Sequence, residues 1–351
     1  MKTIDGPGVF LAQFIAPEPP FDRLCTLAAW AAEKGFRAVQ LPTFNPAIFD
    51  VENAAESDAY CDEVKGLLAG HGLVISELST HRPGHVLGAH SVYGDIVDVF
   101  LPAGARGSPS ARIAWAMDQL LKAARATKRL GLTRHVTMSG GLLWPFLYPY
   151  PPRPGGLVAD AFAELARRWR PVLDAFDAAG SSVGFELHPG EDVHDGGSFE
   201  RFLAATGNHA RVGILYDPSH LFLQHIDYGR FIDIYHERIT AFHVKDAEWN
   251  ASPRTGVYAG YVEWMDRPGR FRSPGDGDID FNLIFSKLTQ YDYAGWASLE
   301  WECCLKHADD GAREGAQFIR DHIIRVQSRE FDAGMKGQGS TARNRNILGL
   351  G

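Results

Sequence analysis

Glu186, Asp217, His243 and Glu300 each close, or directly follow, a short run rich in β-branched and aromatic residues: VGFE, ILYD, AFH and ASLE. Three carboxylates and one imidazole form a hard donor set suited to Mn2+ first, with Mg2+, Co2+ or Zn2+ as alternatives. Carboxylates gathered in one place repel one another and take up protons, so a cation is what would hold such a group together. The neighbouring residues extend the pattern. His188 lies two residues beyond Glu186, and alternation along an extended chain points both the same way. His220 follows Asp217 by three at a helix start that Pro218 signals, and Asp246 follows His243 by three. Glu191, Asp192 and Asp195 lack strand periodicity and read as loop surface. Lys245 reads either as an exposed ammonium or as a group meeting a substrate oxygen.

The elements that must position these groups repeat along the chain. Eight strand-like runs are predicted: 9–14, 38–41, 74–78, 134–138, 182–186, 212–216, 239–243 and 296–300. Between them lie stretches with apolar residues at spacings of three and four, such as FDRLCTLAAWAAEKG, where Gly35 supplies a C-terminal stop. Alternating strands and helices predict a closed parallel (β/α)8 TIM barrel, against an open doubly wound sheet with an added domain. Catalytic groups of such a barrel sit at the carboxyl ends of its strands, where the four residues fall. Long connections after the third, fourth and seventh runs would gather over that same mouth. Residues 1–330 are expected to form the single barrel domain, with 331–351 an extended or disordered tail.

Bulk properties exclude other classes. The 351-residue chain is 45% hydrophobic and carries a formal net charge of -8, which opposes wrapping a polyanion. No apolar run reaches membrane length. Four cysteines without metal-like or disulfide-like spacing fit reduced thiols in the cytoplasm. The expected partner is therefore a small molecule, neither nucleic acid nor membrane, with room for a homo-oligomer.

From Ser182 onward the motifs FELH, LYDPSH, FHVKDAE, GDGDIDF and LEWE, in this order, resemble the sugar phosphate isomerase and epimerase family with the xylose-isomerase-like TIM barrel. The resemblance implies one divalent metal on Glu186, Asp217, His243 and Glu300. It also implies proton transfer by Glu186 and Glu300, and substrate hydroxyls held by His188 and His220, with Asp246 close by. A metal beside a carbonyl stabilises the enediolate formed when the adjacent carbon loses its proton, and a carboxylate on either face can carry that proton. Return to the opposite face epimerises, and return to the neighbouring carbon isomerises. A leaving group at the β position turns the same intermediate toward elimination, so a lyase acting on 3-keto-glycosides is the alternative. A noncatalytic sugar- or metal-binding subunit is a third reading. The same barrel hosts metal-dependent apurinic endonucleases, but their additional histidines have no counterpart between Val244 and Leu305.

Overall fold

The computed structural model describes residues 1–337 and 339–350. Ten strands occur in chain order: β1 Asp5–Phe10, β2 Ala38–Pro42, β3 Val74–Ser79, β4 Arg134–Thr137, β5 Ser182–Glu186, β6 Val212–Tyr216, β7 Ile239–Val244, β8 Asp246–Trp249, β9 Gly269–Arg272 and β10 Trp296–Leu299. Eight of them close a barrel in the order β1-β10-β7-β6-β5-β4-β3-β2, every neighbouring pair parallel. β8 and β9 form a separate antiparallel ribbon. Strands covered by helices outside and packed side chains inside are buried on both faces, as β2 and β6 are along their whole length.

The main core lies between strands and helices, while Val136, Leu215 and Ala241 make a small apolar layer of their own. Register aligns the functional ends: Glu186 pairs with Leu215, Tyr216 with Phe242, and Ser298 with His243. Glu186, the residue after Tyr216, His243 and the residue after Leu299 therefore converge on one mouth.

One expectation is corrected. The first strand ends at Phe10, and Leu11–Phe14 turns into a 3-10 helix. An apolar run broken only by Gln13 does not mark where extended chain gives way to a turn. The β8–β9 ribbon joins segments separated by a long connection, so no hairpin signature announced it. The tail, expected to be extended or disordered, carries an exposed helix at Thr341–Ile347; its residues Gln338 and Gly351 lie outside those described. Among the described residues no helix is long and apolar enough to cross a membrane.

Two mouth connections touch backbone to backbone. Gly140, at φ +94°, follows β4, and a Cβ there would lie 2.3 Å from the Cα of Gly88, in the connection after β3. Gly140→Ala therefore combines left-handed strain with overpacking, and is expected to destabilise by about 3 kcal/mol. Denaturant titration checks this. A midpoint within error of the parent contradicts the close approach.

Candidate metal centre

Glu186 is the last residue of β5, His243 lies in β7, and Asp217 and Glu300 directly follow β6 and β10. All four are buried, and one potential ligand atom from each lies within 4.8 Å of all the others. Asp217 also caps the helix Pro218–Leu223, its Oδ1 accepting from the Ser219 backbone N–H at 2.8 Å and the Ser219 hydroxyl at 2.7 Å. That leaves Oδ2 free to face the cluster.

Surrounding groups fix the remaining orientations. His243 Nδ1 is 2.8 Å from Glu300 Oε2, and its Nε2 is 3.1 Å from Gln40 Oε1. Gln40 donates its own amide N–H to Glu77 at 3.3 Å, which sets the amide orientation so that Oε1 accepts from His243. Gln13, carried by the turn after β1, donates to Glu300 Oε1 at 2.8 Å. His81 Nε2 approaches Glu186 Oε2 to 2.8 Å, and His220 Nε2 lies 3.2 Å from Glu186 Oε1 and 3.4 Å from Asp217 Oδ2. The His188 ring meets the His220 ring edge-on at 4.2 Å.

The cluster also contains Lys245, which is 1% exposed. Its Nζ lies 3.3 Å from Glu300 Oε2, 3.2 Å from Glu302 Oε2 and 3.8 Å from Asp217 Oδ2. It sits over the Phe271 ring, 4.3 Å from the centroid. Burial disfavours its charge, but Glu300, Glu302 and Asp217 outweigh burial and hold the ammonium protonated.

The acids respond unequally. Burial pushes Asp217 well up, helped by the charges of Glu300 and Glu186. Glu186 and Glu300 are driven down despite burial, the first by His220 and His81, the second by Lys245 and His243. His243 rises to about 9, because Glu300 overcomes burial, and His220 falls to about 3 through burial and its cationic or imidazole neighbours.

These observations fit a hard dication. Both Glu186 oxygens and Asp217 Oδ2 are buried, and the nitrogens that approach them stand out of hydrogen-bonding alignment, although such groups are ordinarily satisfied. Glu186, Asp217, Glu300 and Glu302 around one ammonium leave an excess of negative charge that a dication would offset.

The sequence reading meets mixed outcomes around this centre. His188 and His220 both reach it. Asp246, expected to contact substrate, instead spends both oxygens on backbone N–H groups, of Ala247 at 2.8 Å, Ile279 at 3.3 Å, Gly275 at 2.9 Å and Gly277 at 3.0 Å. It organises the GDGDIDF turn. Arg270 and Arg272 both pair with Glu248. Glu191 and Asp192 are buried, not surface residues: Glu191 binds His85 and the Gly140 N–H, and Asp192 accepts from the Leu143 N–H at 2.8 Å. Sequence reasoning missed Gln40, Glu77 and His81. Polar residues inside the otherwise apolar strands AVQLP and VISELS, and a histidine just past β3, were the available signals.

Burial, with the adjacent Glu191 charge, pushes Asp192 up to about 7. A carboxyl whose folded pKa is raised contributes stability that is complete below its unfolded value near 4 and is lost as pH rises through 7. Asp192→Asn keeps an oxygen for the Leu143 N–H and removes the charge. Its stability relative to the parent is expected to rise from near zero at pH 4 to about 1–3 kcal/mol at pH 8. Thermal denaturation across that range checks it, and a flat difference contradicts it.

The cluster opens into a cavity of about 250 Å³ whose wall includes Gln13, His81, Glu186, His188, Lys245 and Glu300. The sequence profile of the xylose isomerase-like TIM barrel family matches residues 28–322. Inosose dehydratase of Lactiplantibacillus plantarum is 27% identical over 147 residues, 41% of this chain and 49% of that protein. The chain thus spans about half the length of that curated relative. Among solved structures, a xylose isomerase-like TIM barrel protein from Mycobacterium smegmatis in complex with magnesium superposes with a TM-score of 0.62 at 17% identity, over 91% of this chain and 96% of that one. An L-ribulose 3-epimerase superposes with a TM-score of 0.59 at 18% identity, over 100% and 99%.

Proposed function

The chain belongs to the xylose isomerase-like TIM barrel family, and from that premise we propose that it is a divalent-metal-dependent enzyme moving a proton beside the carbonyl of a ketose or keto-sugar, as an epimerase or isomerase. The observation that carries this reading is the buried, donor-poor convergence of Glu186, Asp217, His243 and Glu300 on one mouth. These four residues would hold one ion, Mn2+ by donor preference, with Mg2+, Co2+ or Zn2+ as competitors. When bound, it supplies Lewis-acid stabilisation of charge developing on the carbonyl oxygen.

The chain's own groups do the rest. Glu186 and Glu300 would serve as the proton-carrying pair, one accepting the proton and the other returning it. His81 and His220 flank Glu186 and keep its basic oxygens directed inward, while Gln13 orients Glu300. Neutral His220 and the adjacent His188 offer ring nitrogens to substrate hydroxyls. Gln40, with Glu77 behind it, holds the His243 ring with Nδ1 toward the carboxylates.

A second reading, β-elimination from a keto-sugar or 3-keto-glycoside, is favoured by the match to inosose dehydratases and by the Lys245 ammonium on the cavity wall, placed to neutralise a departing oxygen. The four free thiols support a cytoplasmic, reducing setting for either enzyme.

Turnover of a keto-sugar panel with Mn2+ in heavy water separates the readings. Epimerisation or isomerisation returns an isomeric product with solvent deuterium on carbon, whereas elimination returns a product that has lost water or the aglycone. Products lacking both signatures would exclude proton transfer beside a carbonyl.

A further inference from the structure

Beside the cluster cavity lies a second one of about 470 Å³, and the two share His81, Arg82, Met138 and His188 as a common wall. Its remaining surface is supplied chiefly by Tyr93, Ile96, Phe100 and Trp144, from the connections after β3 and β4. Several of the polar groups at its edge are already engaged. His85 binds Glu191, His188 Nδ1 faces the Pro189 carbonyl, and the Arg82 guanidinium lies 3.6 Å from the Phe44 ring centroid and 5.2 Å from that of Phe100. A bare sugar would find few partners there. An apolar group would find several, and Ile96, 67% exposed, stands at the edge ready to be covered.

We infer that this cavity receives an aromatic aglycone, so that the substrate is the keto derivative of an aryl glycoside, with the sugar ring at the metal centre and the aryl group beside it. The inference rests on the proposed sugar-binding centre and narrows its substrate class. Continuity fixes the arrangement: a group filling the apolar cavity while its sugar fills the central one must be joined to it across the His81 and His188 wall. A further cavity, lined by Gln13, Glu302, Trp264, Phe271 and Trp301 among others, is aromatic as well, but it exposes more polar and less apolar surface and suits such a group less well.

The test measures binding, which needs no turnover. Phenyl and methyl glucosides are titrated into the full chain, with and without Mn2+, by calorimetry and by tryptophan fluorescence. Phenyl glucoside is expected to bind about tenfold tighter than methyl glucoside. Ile96→Glu, a change at an exposed position outside the metal cluster, is expected to bring that ratio near one. Equal affinities, no binding of phenyl glucoside at millimolar concentration, or a ratio unchanged by Ile96→Glu each overturn the inference. A substitution that instead splits a dimer in sedimentation, leaving the ratio intact, assigns the face to a second copy and overturns it too. An aryl preference that survives in a protein unable to bind Mn2+ leaves the cavity assignment standing and sinks the metal-centre reading alone.

Discussion

Glu186→Gln is expected to lower kcat on the preferred keto-sugar by on the order of 10³-fold, with KM within a few fold of the parent. The amide keeps the shape of the side chain and one oxygen toward the cluster, but it does not accept a proton from carbon. The surroundings make Glu186 the sharper choice of the two glutamates. Its oxygens face only the His81 and His220 rings, which keep it ionised despite complete burial and so free to take up a proton. Glu300 already accepts from Gln13 and faces both His243 and Lys245. Metal content measured on the same preparation separates a lost base from a lost ligand. A variant that retains its metal and more than a tenth of parental kcat contradicts the assignment of Glu186.

Lys245→Met is expected to produce the largest change in stability. In the metal-free protein it removes the ammonium that faces Glu300 and Asp217 in a fully buried setting, and breaking such an arrangement costs about 3–5 kcal/mol. Saturating Mn2+ should recover part of this, because a dication supplies positive charge that the ammonium no longer does. By linkage the variant should bind Mn2+ more tightly than the parent. Melting temperatures of both proteins, each with chelator and with excess Mn2+, give the four values needed. An equal loss in both states reduces Lys245 to a packing role.

The four carboxylate and imidazole positions were legible because a parallel barrel places strand ends at one mouth, and strand ends are marked in sequence by the last β-branched or aromatic residue before a proline, lysine or turn. Asp217 shows why this works: Tyr216 closes the strand, and Pro218 opens the helix that Asp217 caps. The same logic failed at Phe10, where the apolar run continued into a 3-10 turn whose function is to deliver Gln13 to Glu300. Local sequence could not separate the two backbones.

Residues whose role depends on distant partners were hidden for a different reason. Lys245 has the composition of a solvent-facing side chain, and only the convergence of β6, β7 and β10 surrounds it with acids. Glu191 and Asp192 look like loop surface until the connection after β4 folds over them and offers its N–H groups. Asp246 has the opposite history. It stood next to the right strand and pointed at its own turn, because four unpaired backbone N–H groups attract a carboxylate more effectively than an open cavity does.

Diffraction data collected at the manganese absorption edge from crystals grown with Mn2+ test the central claim most directly. One anomalous peak per chain is expected, bonded to Glu186, Asp217, His243 and Glu300, with Lys245 beside it but unbonded. A peak held by other side chains, or none at this mouth while the protein retains its fold, would contradict the account.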